Sequence, residues 1–503
     1  MTRRLVYVNI GALVVAGVVA RVYAIDRLPG LNGDEAWCAY QSFQFARRGD
    51  WHWRTPSGLP LEPYFTLVQA AVFQLAAPST WAARLPSVLA GALLAPVSYL
   101  ALSRIAGMRS ACACTIVIYT LPVGIAYARF GWYPSQSVIV SLVAVACALG
   151  NRPWIAALSF LSAIIVHPTN VFLLPILIMP WITPWLVRRG IDRSVIMWTG
   201  GLAAAGILSL CIAINFFPYR LPTFLVPPQG RLADYAAWSE FAVWLIRLFS
   251  GTTTYRYICG SGYGRLATLQ DGATAFALLA LIAWNIGRFA IRTDPRFAGL
   301  WTGLVFAAVL YFVVAGPRGT ESHFERYGFF LIAPAIVCIG RAIEPSLNKP
   351  AVARRVLWAV SLVGWLYLTG FAWQYFAFMH RTGGQSHRAF RTGPVDPKQA
   401  AAIIILEDLA GRDGSSVATV VAEDWWLYWP IKYLTAGRPV VNVQPYEGPQ
   451  RTIAVLQNGG FVVVYDDVYT DHEISRHLSD RPIRRWTVPD WSGRPWLAVI
   501  RLE

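Results

Sequence analysis

Residues 5–25 read LVYVNIGALVVAGVVARVYAI, and residues 26–37 continue DRLPGLNGDEAW. A helix crossing about 30 Å of hydrocarbon needs roughly 20 apolar residues, and the first stretch has that length. Behind Arg3-Arg4 it also has the look of a secretory leader ending near Ala24. The later apolar runs argue for a retained first span, because a chain that crosses repeatedly normally keeps its first pass. Arg21, near its outer end, is then expected to snorkel outward.

Working outward, ten further runs qualify or nearly so: 84–105, 110–128, 134–150, 153–166, 169–187, 194–216, 272–290, 297–315, 327–343 and 356–378. Two short ones, 153–166 and 169–187, meet at His167-Pro168 and read either as a tight pair or as one broken helix. Charge orients the set. With the N-terminus inside, every inner connection is net basic, including Arg104/Arg109, Arg188/Arg189/Arg193 and Arg288/Arg292/Arg296. The outer connections hold most of the acids, among them Asp34, Glu35, Glu62, Asp234 and Glu325. The expected fold is an all-α polytopic membrane protein of about eleven spans, with the C-terminus outside.

Composition agrees. Of 503 residues, 56% are hydrophobic and only 14% charged, against about 25% charged in a soluble protein. The net charge of +16 lies between apolar runs rather than in one stripe, which excludes a nucleic-acid interface and suits loops beside anionic lipid. Lysine occurs only at Lys349, Lys398 and Lys432, a global bias that a GC-rich genome explains. Cys38 and Cys259 alone fall in external segments, where an oxidising compartment would permit a disulfide.

Two external segments exceed plain loops. In 26–83, Asn32 and Glu35 have capping-box spacing, Arg47-Arg48 fit a last helical turn and Gly49 a stop. Glu62–Ala77 is apolar but too short to cross, so it reads as a juxtamembrane helix lying on the interface. In 217–271, the Trp- and Phe-rich stretch Arg231–Ser250 reads the same way. Beyond residue 380 the pattern changes. A linker at 381–400 precedes helices at 401–411, 425–436, 450–458 and 471–479, alternating with strands at 416–422, 440–443, 461–466, 483–488 and 496–502. The domains are therefore 1–380 in the membrane and 381–503, a small α/β domain outside it.

Asp34-Glu35 is the pair that could carry chemistry. Neighbouring helical residues point about 100° apart, so the two cannot aim at one atom. Glu35 has the capping position, while Asp34 has no such duty and could serve as a general base toward a hydroxyl.

Four stretches together resemble a known family. Gly33-Asp34-Glu35-Ala36-Trp37 follows the first span, Trp81-Ala-Ala-Arg84-Leu-Pro-Ser87 precedes the second, Ala128-Arg129-Phe-Gly-Trp132 follows the third, and Glu325-Arg326-Tyr327 opens a late span containing Ala333-Pro334. In order and spacing they are similar to the GT-C-fold glycosyltransferases of the protein O-mannosyltransferase and lipid A aminoarabinose transferase superfamily. The resemblance covers most of residues 1–340. It implies a polyprenyl-phosphate sugar as donor, a hydroxyl of a lipid, glycan or protein as acceptor, and inversion at the anomeric carbon. It makes Asp34 the catalytic residue with Glu35 in support. Arg129, Arg326 and Tyr327 become candidates for the leaving phosphate, whose charge suits guanidinium forks. Arg84 is expected to make a structural contact.

The chain departs from that family at Leu61-Glu62-Pro63-Tyr64, where relatives often carry Lys-Pro-Pro or His-Pro-Pro. Glu62 is left as a candidate ligand for acceptor, donor sugar or metal. His323, between Glu321 and Glu325, reads as a substrate contact, a divalent-ion ligand or a hydrogen-bonded loop histidine. Gly260-Ser-Gly262-Tyr-Gly264 reads as a glycine turn. A monomeric enzyme of the bacterial inner membrane is expected, N-terminus cytoplasmic and C-terminus periplasmic. The rivals are a lipid flippase, which would show internal repeats, and a scaffold that binds polyprenyl lipid without turnover.

Overall fold

The computed structural model describes residues 3–52, 54, 62–188, 233–261, 264–289, 294–315, 325–411, 417–438, 440–466, 476 and 481–503. Ten of the eleven apolar runs fall there, and each coincides with helix. The run 194–216, the helix at 471–479 (save Arg476), and Glu321 and His323 lie outside the described residues. Among the described residues, five helices are long and apolar enough to cross a membrane: Arg4–Val22, Thr80–Thr120, Pro295–Val314, Glu325–Leu347 and Pro350–Thr382.

Helix α1 (Arg3–Val22) leads into an irregular loop, then α2 (Gly33–Arg48), α3 (Pro63–Leu75) and α4 (Thr80–Thr120). α4 combines two expected spans. It breaks at Ala106 and Gly107, where φ of +70° at Gly107 is a conformation a residue without Cβ adopts cheaply. After α5 (Pro122–Tyr127) come α6 (Ser137–Leu149) and α7 (Pro153–Val166). His167, extended at φ −155°, and a 3-10 turn at Pro168–Phe172 separate α7 from α8 (Leu173–Arg188), so the two short runs are two helices. α4 is the hub, packed by α1, α6 and the helices Phe329–Leu347 and Pro350–Phe371.

The short helices follow their capping chemistry. The Asn32 side chain accepts from the Glu35 amide at 3.0 Å, and Gly49 closes α2 at φ +74°. Glu62 caps α3, accepting from the amides of Tyr64 (2.9 Å) and Phe65 (2.5 Å), with Pro63 in the first helical position. α3 turns Phe65 and Phe73 inward and leaves Tyr64, Leu67, Val68 and Leu75 exposed, an outward apolar stripe. Within the expected Arg231–Ser250 stretch, a helix runs Tyr235–Ser250, capped by Asp234. Its Trp238 packs tilted against Phe312 (4.1 Å) and its Trp244 stacks on Tyr311 (5.5 Å).

The C-terminal domain is a five-stranded sheet ordered β2-β1-β3-β5-β4, with β1 Ala418–Ala422, β2 Val441–Pro445, β3 Phe461–Tyr465, β4 Ile483–Pro489 and β5 Pro495–Leu502. β1 runs parallel to β2 and β3, joined through helices as parallel strands require. β5 pairs antiparallel with β3 and β4. β3 is buried at every position, so its unbroken apolar run FVVVY packs helices on both faces. The helix Trp425–Leu434 packs on the sheet through Leu427 and Ile431 and lies along α2 with its other side.

The stretch read as linker is tied down. Gly30 N donates to Phe390 O (3.1 Å), Leu31 N to Asp396 Oδ2 (2.5 Å) and Arg27 to Pro394 O (3.0 Å), while the Thr392 hydroxyl donates to Arg27 O. Residues 390–396 thus hold the loop between α1 and α2. A Cβ on Gly30 would lie 1.9 Å from the Arg391 carbonyl oxygen, so the approach requires glycine.

Candidate active site

The loop after α1 has no regular secondary structure, so its carbonyls must find donors elsewhere. Two buried arginines supply them. Arg84 donates to Ile25 O (2.8 Å) and Pro29 O (2.9 Å). Arg129 donates to Ala20 O (2.8 Å), Tyr23 O (2.8 Å) and Leu28 O (2.5 Å). Arg129 therefore corrects the expectation that it meets a phosphate: it is 0% exposed and committed to backbone, with Phe376 against its plane at 4.8 Å. Arg21 corrects the snorkelling expectation likewise. It is buried, donating to Tyr119 O at 2.8 Å and lying over that residue's ring.

On this braced loop α2 presents the acidic pair, whose members diverge as helical geometry requires. Glu35 points inward and is 0% exposed. Its two oxygens take a bidentate pair from Arg84 (2.5 and 3.0 Å), and Oε1 also accepts from Gly131 N at 2.9 Å. Arg84 makes the structural contact expected of it. Gly131 cannot be larger, since a Cβ there would lie 2.6 Å from Ala83 O. The next residue, Trp132, lies against the Arg326 guanidinium at 4.6 Å. Glu35 thus fixes the loop whose indole flanks Arg326.

Asp34 points the other way and is partly exposed. Its Oδ1 accepts from the indole Nε1 of Trp425 at 3.0 Å. Its low-dielectric surroundings push its pKa up, opposed by the charge of Arg326, the Trp425 hydrogen bond and His387. Arg326 and Tyr327 sit in a 3-10 turn at Glu325–Gly328. The Tyr327 ring lies 5.2 Å from that of His167, and Tyr127 donates to Glu325 at 3.1 Å. Asp34, Arg326, Tyr327 and Trp132 are thereby brought to one locus, with Trp425 and His387 contributed by the C-terminal region. The last two carry no signal in the sequence reading, because each reaches the site only through the tertiary fold.

Glu62 lies nearby, for its charge acts on the Cys38 thiol together with those of Asp34 and Glu35. Burial and these three acids push that thiol well above its ordinary range. The oxygens of Glu62 are taken up by capping α3, which replaces the expected ligand role with a structural one. Burial raises its carboxyl to about 7 against those capping bonds. Cys38 and Cys259, between which an oxidising compartment would permit a disulfide, are both free and buried. Among the described residues no cluster of three or more His, Cys, Asp or Glu side chains is arranged to hold a metal ion.

No protein-family model matches the sequence, and no curated protein matches it. Solved structures do. ArnT from Cupriavidus metallidurans bound to undecaprenyl phosphate superposes with a TM-score of 0.56 at 18% identity, over 99% of this chain and 98% of that one. The same protein in the apo state gives 0.55 at 14%, over 98% and 97%. The oligosaccharyltransferase of Archaeoglobus fulgidus in the apo form gives 0.54 at 13%, over 92% of this chain and 70% of that one. The protein has a GT-C fold: a polytopic helical membrane domain followed by a small C-terminal sheet domain. Within that class, the near-complete mutual coverage places its whole architecture beside ArnT.

Proposed function

We propose that the protein is an inverting glycosyltransferase. It moves a hexosyl- or pentosyl-type sugar from a polyprenyl-phosphate donor to a hydroxyl acceptor on the periplasmic face of a bacterial inner membrane. The observation that carries this reading is the placement of Asp34. A carboxylate at a helix N-terminus, its pKa raised by its surroundings, faces the charge of Arg326 under a roof formed by Trp425. The superposition on a protein captured with undecaprenyl phosphate supports the donor class.

In the step this geometry suits, Asp34 takes the acceptor hydroxyl proton as the oxygen attacks the anomeric carbon. The bond from that carbon to the donor phosphate oxygen breaks, and the electron pair leaves with the polyprenyl phosphate. Arg326 and the Tyr327 hydroxyl meet the charge that develops there. The raised pKa of Asp34 favours holding the proton once it arrives. Glu35 takes no proton; it positions Asp34 and the loop behind Arg326.

The test supplies lipid-linked sugar and acceptor to wild type and Asp34→Asn. Turnover should fall by about 10²-fold or more, as for loss of a general base, with polyprenyl phosphate still bound. Equal turnover would remove Asp34 from this role.

A further inference from the structure

At the opposite end of α2 from Asp34, the molecule holds a cavity of about 560 Å³. It lies where α2, the Ala77–Ser79 turn and the C-terminal helices Pro397–Ala410 and Trp425–Leu434 converge. Three arginines line it: Arg47 and Arg48 from the last turn of α2, and Arg438 from the turn after the aromatic helix. Part of the lining is an apolar wall of Ile403, Leu406 and Leu434. Among the described residues no carboxylate lines it, and none of the three arginines has an acidic partner.

The negative C-terminal end of the α2 dipole accounts for part of this. Basic side chains in a last turn complement the helix dipole, so Arg47 and Arg48 have a local reason to be there. Arg438 has none. It comes from a separate segment, after Gly437 at φ +82°, and brings a third like charge into the same cavity. All three arginines are exposed at the concavity, open to an incoming anion, and their forks match phosphate oxygens bidentately. The carboxamides of Gln44 and Gln399 add neutral donors.

The apolar wall decides what kind of anion. A free phosphate gains nothing from Ile403, Leu406 and Leu434, whereas an amphiphile desolvates them. The cavity also adjoins the end of α3, where Leu75 is 92% exposed and continues the outward stripe of Tyr64, Leu67 and Val68. That stripe is suited to lie in the membrane interface, which puts the arginines at headgroup depth. We infer that this cavity binds the phosphate headgroup of an anionic lipid, with the first part of its chain along the apolar wall, at a site separate from Asp34.

The test titrates the full-length protein in neutral detergent with dihexanoyl phosphatidic acid, dihexanoyl phosphatidylcholine and inorganic phosphate. Phosphatidic acid should bind at least about tenfold more tightly than either of the others. The variant Arg47→Gln/Arg48→Gln/Arg438→Gln should lose about tenfold or more in that affinity, and Arg→Lys at all three should restore part of it. Ile403→Asp, at an exposed position of the wall, should weaken phosphatidic acid in the same way. Unchanged binding in both variants would overturn the site. Equal binding of phosphatidylcholine would overturn the charge recognition, and equal binding of inorganic phosphate would overturn the lipid. Arg326→Gln, at the group proposed to meet the donor phosphate, should leave all these affinities unchanged; a loss there would place the phosphatidic acid in the other site and overturn the inference.

Discussion

The indole of Trp425 donates a 3.0 Å hydrogen bond to the carboxylate of Asp34, joining residues 391 positions apart in the chain. The C-terminal domain is thereby part of the candidate active site. The bond favours the ionised carboxylate, since it holds the pKa of Asp34 below where burial alone would put it.

Removing that bond with Trp425→Phe should therefore raise the Asp34 pKa further. The acid limb of the pH–rate profile should move to higher pH, because the base form then needs a higher pH to exist. Below the limb, kcat/KM should fall about tenfold, matching the loss of one hydrogen bond to a charged group. An unshifted profile would separate Trp425 from the titration.

Glu35 and Arg84 form a fully buried pair at 2.5 Å. Breaking it one-sidedly, with Glu35→Ala or Arg84→Met, leaves an uncompensated buried charge and should cost about 3–5 kcal/mol of stability. Glu35→Leu/Arg84→Met should recover much of that, read as the denaturation midpoint in detergent. The double variant should still turn over poorly, because the Gly131 amide loses its acceptor.

Glu62 is predicted to set a pH dependence of stability. Its folded pKa of about 7 lies above the ordinary 4.5, so the neutral form is the one the fold favours. Its contribution is complete below pH 4.5 and is lost as the pH rises through 7, up to about 3 kcal/mol. Glu62→Gln keeps a capping oxygen and cannot ionise. Its stability relative to wild type should grow from pH 5 to pH 8, and a flat difference would sink the assignment.

A Cβ on Gly33 would lie 2.5 Å from the Trp425 ring and 2.6 Å from its carbonyl oxygen. Gly33→Ala should push the helix Trp425–Leu434 off α2. Limited proteolysis near residues 383–396 should speed up and turnover should fall together. Adding Trp425→Ala should not rescue either, because the backbone contact remains.

Much of this was legible locally. The apolar runs set the helices, Asn32 and Gly49 marked the ends of α2, and alternating short elements after residue 400 marked the sheet domain. Each signal lies within a few residues of what it predicts. The functions of buried charges were less legible. Arg21 and Arg129 look like interfacial arginines because a guanidinium at a helix end has the same sequence whether it faces water or a loop carbonyl. Glu62 before Pro63 has the same sequence whether it caps a helix or meets a ligand, and only the fold puts its oxygens on the amides of Tyr64 and Phe65. Trp425 and His387 were invisible, since only the packing of the last domain on α2 brings them to Asp34.

That packing also orders events in the making of the protein. Asp34 leaves the ribosome 391 residues before the indole that orients it. The strap 390–396 and helix Trp425–Leu434 must arrive before the loop after α1 is pinned. A nascent chain can fill its membrane positions while its acid is still unaligned. On the proposed function, a chain not yet extended to Trp425 holds the acid without its partner and stays silent beside lipid-linked sugar.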